Sequence, residues 1–151
     1  MNITYRKFKA ADKKIIAELM KSLTIEDPEG KPSSPKKINR TFTRLLNHPD
    51  NGVIMVLADG AKIIGYGILI NFWSNEHGGN ILNINELYIK SDYRGKGIGT
   101  KFIQYLIHNK FNNCVAVQLE TLPANKKAKQ LYERIGFKLS SNYHFEYDFE
   151  K

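Results

Sequence analysis

The segment from Glu86 to Thr100 constrains the fold more than any other stretch of the chain. It reads Glu-Leu-Tyr-Ile-Lys-Ser-Asp-Tyr-Arg-Gly-Lys-Gly-Ile-Gly-Thr. An apolar, strand-like run ends at Lys90 and a short turn follows. Gly95, Gly97 and Gly99 then alternate with Lys96 and Ile98, directly after Arg94. An amphipathic helix pattern opens at once. This order places free backbone N–H groups, a helix N-terminus and two cations at one point, which attracts a pyrophosphate or similar anion. Glycine costs about 1 kcal/mol relative to alanine inside a helix. Three of them at a helix start suggest that bare backbone must approach something.

Two familiar phosphate loops do not fit. The P-loop needs Gly-Lys followed by Ser or Thr, but Gly95-Lys96 is followed by Gly97 and Gly30-Lys31 by Pro32. The dinucleotide fingerprint needs Gly-x-Gly-x-x-Gly early in a βαβ unit, whereas this spacing is Gly-x-Gly-x-Gly and lies late in the chain.

Periodicity supplies the surrounding elements. Ile3 to Phe8 alternates as a first strand, and Asp12 can cap a helix with Ile15, Ile16, Leu19, Met20 and Leu23 on one face. Thr24 to Pro32, rich in Pro, Gly and acid, reads as a loop. Ser34-Pro35 reads as a cap and first helical position, with Ile38, Phe42, Leu45 and Leu46 as a buried stripe and Pro49 as the stop. Val53 to Ala58 is continuously apolar, as in a strand buried on both faces. Asp59-Gly60 signals a hairpin into Lys62 to Trp73. Ser74 to Asn80 is a polar loop, and Ile81 to Lys90 is the next strand. Val115 to Leu122 is a further strand. Asn125 can cap a short helix closed by Gly136. Phe137 to Leu139 restarts extended structure, and Tyr143, Phe145, Tyr147 and Phe149 alternate with polar residues as a last strand. These aromatics, which could stack bases in an RNA binder, read at strand spacing as core or as a dimer contact.

The chain has 151 residues and no internal repeat or linker, so a single domain over 1–151 is expected. No apolar stretch is long enough to span a bilayer, and Met1 to Arg6 lacks a signal-peptide pattern, so cytoplasm is the simplest location. Cys114 is the single cysteine and reads as an inert thiol. His48, His77, His108 and His144 have no metal-ligand spacing, so no metal is expected. The net charge of +8 admits two readings: a basic nucleic-acid-binding module, or a site for a smaller polyanion such as a nucleotide cofactor.

A second motif runs from Leu122 to Phe137. Asn125 and Tyr132 lie close to two helical turns apart and share a face, with Lys129 between them. Taken alone, Asn125 reads as a cap and Tyr132 as a core aromatic. Together with the glycine turn they resemble the GNAT superfamily of N-acetyltransferases. Arg94-Gly95-Lys96-Gly97-Ile98-Gly99 is similar to its Arg/Gln-x-x-Gly-x-Gly/Ala signature, and Asn125 through Tyr132 to Gly136-Phe137 is similar to the segment that follows it. The similarity runs from about Val53 to Leu139. It implies an α/β (α+β) fold, with a mixed, mostly antiparallel central sheet of six to seven strands flanked by about four helices.

The same resemblance implies acetyl-CoA as acyl donor and direct transfer to a primary amine in a ternary complex. By that likeness the amides of Arg94, Gly95, Lys96, Gly97, Ile98, Gly99 and Thr100 hold the pyrophosphate, and the backbone of Leu87, Tyr88 and Ile89 pairs with the pantetheine arm. Asn125 and Lys129 join the cofactor-binding set, and Tyr132 sits near the sulfur. Amine acetylation needs a neutral amine, a polarised carbonyl and a protonated or stabilised leaving thiolate. Tyr132 can supply that proton, an N–H near Ile89 can stabilise the oxyanion, and Glu86 is the candidate base. Glu86 reads equally well as a structural or substrate-orienting carboxylate.

The acceptor is less constrained. Ser91 to Gly95 resembles the diamine and polyamine acetyltransferases, but the stretch lies at the cofactor site. Glu26, Asp27 and Glu29, with Glu76, could line a site for a cation, though solvated surface is the plainer reading of these loop acids; Glu120, on the neighbouring strand, is a weaker candidate base than Glu86 and reads more simply as a structural hydrogen-bonding carboxylate. The expected acceptor is therefore a small amine (polyamine, aminoglycoside or amino-acid-like), with a protein or peptide amine as the alternative. Neither a nucleic-acid nor a membrane partner is expected.

Overall fold

The computed structural model describes residues 1–27 and 30–150. Two compact units divide the chain after Glu120. The first contains a five-stranded sheet in the order β1-β2-β3-β4-β5. Its strands are β1 (Ile3–Lys7), β2 (Gly52–Asp59), β3 (Lys62–Ser74), β4 (Gly79–Ile89) and β5 (Ala116–Leu119). The first four are antiparallel neighbours, whereas β5 runs parallel to β4. Helices α1 (Lys13–Glu26) and α2 (Pro35–Asn47) connect β1 to β2, and α3 (Ile98–His108) follows β4. A parallel neighbour needs a crossover, and α3 supplies it.

Apolar spacing sets the faces. Ile16, Leu19 and Met20 of α1 and Ile38, Phe42 and Leu45 of α2 pack with Ile54, Val56, Tyr66, Ile68 and Tyr88 of the sheet. On the opposite face, Phe102 of α3 packs against Tyr5 and fills the space left by Gly67, where a Cβ would lie 2.9 Å from its ring. Ile54 to Ala58 are buried in succession, so β2 is covered on both faces as its apolar run requires. Each large apolar side chain buried this way contributes about 2 kcal/mol.

Local signals act where they were expected. Ser34 Oγ accepts from Lys37 N at 3.3 Å, with Pro35 at the first helical position of α2. Gly60 takes φ +57° in the β2–β3 turn. Asp12 departs from expectation: it makes no side-chain cap for α1. Its buried carboxylate instead accepts from both terminal nitrogens of Arg6, at 2.7 and 2.8 Å, and from Lys9 N at 2.8 Å. That pair ties β1 to the start of α1.

Four further expectations need correction. Thr24, Ile25 and Glu26 belong to α1, not to a loop. Leu46 is exposed beside the buried stripe of α2. The polar loop before β4 is a tight connection, because Ser74 pairs with Gly79 and Ser74 Oγ accepts from His77 N. The sheet has five strands where six to seven were expected, and β5 is shorter than Val115 to Leu122.

The unit from Thr121 onward contains α4 (Lys126–Ile135), which ends at Gly136 with φ +115°. Phe137 to Leu139 and Tyr143 to Phe149 form no strand. Alternation assigns side chains to faces but supplies no ladder partner. Here Ser140 Oγ and Asp148 Oδ1 accept from backbone N–H groups two residues on, local bonds that compete with extended pairing. Tyr143, Phe145, Tyr147 and Phe149 are exposed. Among the described residues, no helix is long and apolar enough to cross a membrane.

Candidate active site

The site starts from a split in the sheet. β5 pairs with β4 only from Ile81 to Ile84. Immediately beyond, Asn85 is a bulge: Ile68 pairs with Glu86 and Leu69 with Ile84, so Asn85 has no partner on β3. A bulge bends the strand that carries it. Among the described residues, the rest of β4, from Glu86 to Ile89, pairs with no strand on the side away from β3, leaving that edge of the sheet open. Lys90 N donates to Ile64 O at 2.9 Å. By antiparallel alternation the backbone groups of Leu87 and Ile89 face the open edge, while those of Tyr88 face β3.

β4 leads into a 3-10 turn at Ser91–Tyr93 and then the glycine turn. Gly95 and Gly97 take φ +72° and +73°, and nothing lies within 4 Å of where their Cβ atoms would be. Both glycines are thus required by backbone conformation and leave open space beside the turn. Gly99 differs: it lies inside α3, against Ile89. No side chain caps α3, whose first intrahelical bond from this turn runs from Lys101 N to Gly97 O. The amides of Ile98, Gly99 and Thr100 remain available to an anion. Lys96 is held at the turn by its bond to Asp92 O, 2.9 Å, and by the Tyr93 ring.

Arg94 is anchored by three groups. Its Nε donates to Ile89 O at 2.8 Å, a terminal nitrogen donates to Glu26 Oε2, and its guanidinium lies 5.3 Å from the Tyr88 ring centroid. The Tyr88 hydroxyl donates to Glu26 Oε1 at 2.9 Å. Desolvation opposes the charge on Glu26, but bonds from Arg94 and Tyr88 hold its carboxyl below the usual range. Glu26 thus ties the end of α1 to the glycine turn.

Glu86 occupies a cleft of about 870 Å³ between α2 and strands β3 and β4. Burial pushes its carboxyl above the ordinary range, partly offset by a hydrogen bond of 2.8 Å from the Tyr66 hydroxyl to Oε2. Tyr66 is fully buried, and burial followed by the Glu86 charge raises its phenol far above normal, so it remains a donor. A poised carboxylate with one oxygen fixed is suited to accept a proton. Tyr66 was missed by sequence reasoning. Its contact with Glu86 depends on the β3–β4 register, which no local pattern reveals.

The expected acids Asp27, Glu76 and Glu120 do not line this cleft. Glu76 lies in the connection before β4, whose first residue, Gly79, is about 23 Å along the strand from Glu86. Asp27 follows α1, and exposed Glu120 follows β5. Glu29 lies outside the described residues. In the second unit, Asn125 Oδ1 caps α4 by accepting from Ala128 N at 3.1 Å, and Lys129 pairs with Glu133 at 2.8 Å. Tyr132 packs edge-on to Phe137, and burial raises its phenol.

Residues 16–137 match the family model of the Acetyltransferase (GNAT) family, and the chain belongs to that family. It is 35% identical over 80 residues to mouse (Mus musculus) thialysine N-epsilon-acetyltransferase, covering 52% of this chain and 46% of that one. It is 31% identical over 68 residues to aminoglycoside N(6')-acetyltransferase type 1 of Klebsiella pneumoniae, covering 44% of this chain and 34% of that one. The matches thus span about half or less of these relatives. Among solved structures, a possible acetyltransferase from Clostridium difficile 630 superposes with a TM-score of 0.85 at 25% identity, covering 100% of both chains. Glucosamine-6-phosphate N-acetyltransferase from Arabidopsis thaliana gives a TM-score of 0.73 at 25% identity, covering 97% of this chain and 99% of that one.

Proposed function

We propose that residues 1–151 form one catalytic domain that transfers an acetyl group from acetyl-CoA to a primary amine. The observation that carries this reading is the open half of β4 running straight into the uncapped α3 N-terminus. A pantetheine arm is strand-like and can pair with the outward backbone groups of Leu87, next to Ile89, whose carbonyl already accepts from Arg94. The adjoining pyrophosphate matches the amides of Ile98, Gly99 and Thr100, with Lys96 nearby. The space beside Gly95 and Gly97 leaves room for this approach.

Acetyl-CoA supplies an activated acetyl thioester when bound. Glu86 takes a proton from the acceptor ammonium, while Tyr66 fixes the orientation of its carboxylate. The Ile89 N–H faces away from β3, as the strand register sets it, and can stabilise charge on an oxygen. Tyr132, kept protonated by burial, donates a proton to the departing sulfur. Asn125 and Lys129 are assigned to the cofactor side.

Steady-state CoA release across small amines and peptides tests the proposal. Amine-dependent release that falls about 100-fold or more in Glu86→Gln supports it. Full turnover in that variant would remove Glu86 as the base.

A further inference from the structure

We propose that the acceptor amine carries a phosphate or carboxylate group, held by the basic face of α2. The inference rests on the reading of the Glu86 cleft as the acceptor site. Lys36, Arg40, Arg44 and His48 follow one another at four-residue spacing and line the same cleft as Glu86. That spacing aligns them along one helix face over about 18 Å. The stripe stands opposite the floor made by Ile68, Ile70 and Asn85.

Glu86 is the one carboxylate on the cleft lining among the described residues. Lys36 and Arg44 have no ion-pair partner among those residues. Glu26 is engaged with Arg94 and Tyr88, and neither Glu76 nor Glu120 lines the cleft. A polyamine with one nitrogen at Glu86 would direct its other cations toward a positive wall. An amine with an anionic tail satisfies both ends: Glu86 receives the ammonium, and the guanidinium of Arg44 offers a fork suited to phosphate or carboxylate. This chemistry opposes the polyamine expectation drawn from Ser91 to Gly95, which lies at the glycine turn and not on the cleft.

The test uses matched amines that differ only in the anionic group. One pair is 3-aminopropyl phosphate and 3-aminopropanol. The other is Nα-acetyl-lysine and its amide. Calorimetric titration of the full chain should give at least tenfold tighter binding for the anionic member of one pair. The preference should shrink severalfold in Lys36→Gln and Arg44→Gln and persist in Lys110→Gln, which lies beyond α3. Equal binding within both pairs, tighter binding of spermidine, or the same loss in Lys110→Gln would overturn the proposal. Titration with acetyl-CoA separates the underlying reading: if acetyl-CoA fails to bind, acetyl transfer fails whatever the amine pairs do.

Discussion

The buried Tyr66 hydroxyl donates a 2.8 Å hydrogen bond across neighbouring strands to Oε2 of Glu86, which lines the cleft walled by α2. Burial raises the Glu86 carboxyl and this bond lowers it. A base works only when ionised, so activity should fall as pH drops through the Glu86 value, at a higher pH than for an ordinary carboxylate. Tyr66→Phe keeps the ring but removes the lowering bond, so the acid limb of kcat/KM should move to higher pH. A pH–rate profile checks the direction; an unmoved or acid-shifted limb would contradict it.

Arg94 and Glu26 form a partly exposed pair, with side chains 46% and 41% accessible. Such pairs are worth at most about 1 kcal/mol. Glu26→Gln should therefore loosen the glycine turn modestly and raise the acetyl-CoA Kd about two- to fivefold. Calorimetry reads this directly. No change would mean that Ile89 O and the Tyr88 ring suffice to hold Arg94.

Asp12 and Arg6 provide a stability test away from the cleft. The Arg6 hydrogen bonds depress the Asp12 carboxyl, against the cost of burial. A depressed folded-state value adds stability above the unfolded carboxylate range, and that stability is lost as pH falls through the folded value. Asp12→Asn should cost about 2 kcal/mol near neutral pH. The difference from wild type should narrow in acid, as followed by denaturant unfolding at several pH values.

Tyr132→Phe removes a hydroxyl without changing ring volume. If that hydroxyl protonates the departing thiolate, kcat should fall about 100-fold. Acetyl-CoA affinity should stay nearly constant. Stopped-flow and calorimetric measurements separate the two quantities.

The features legible in the sequence were those set within a few residues. Ser34-Pro35 announced α2, Asp59-Gly60 announced a hairpin, and the glycine turn announced an uncapped helix start. Each is decided by local backbone geometry or a cap. The rest depends on distant partners. Glu26 looked like a loop acid because nothing local shows that Tyr88 and Arg94 would engage it. Glu86 was visible as a candidate, but its Tyr66 partner required the strand register. Tyr143 to Phe149 carried the clearest alternation in the chain and forms no strand, since a ladder needs a neighbour as well as a pattern. The basic stripe of α2 was present in the sequence. The wall facing it was not, because that wall comes from two other strands.

The Arg94–Thr100 turn is proposed to bind acetyl-CoA through its backbone. Gly97 sits at φ +73° with open space at its Cβ position, so a side chain there perturbs the backbone without striking a neighbour. A left-handed conformation costs a non-glycine residue about 1–2 kcal/mol, and a β-branched one is a more severe case. Isothermal titration of acetyl-CoA onto the wild type and Gly97→Val, each checked for folding by circular dichroism, is the direct measurement. Saturable binding to the wild type, weakened at least tenfold in a folded Gly97→Val, is the predicted result. Absence of binding to the wild type, or equal affinity in both proteins, would contradict it.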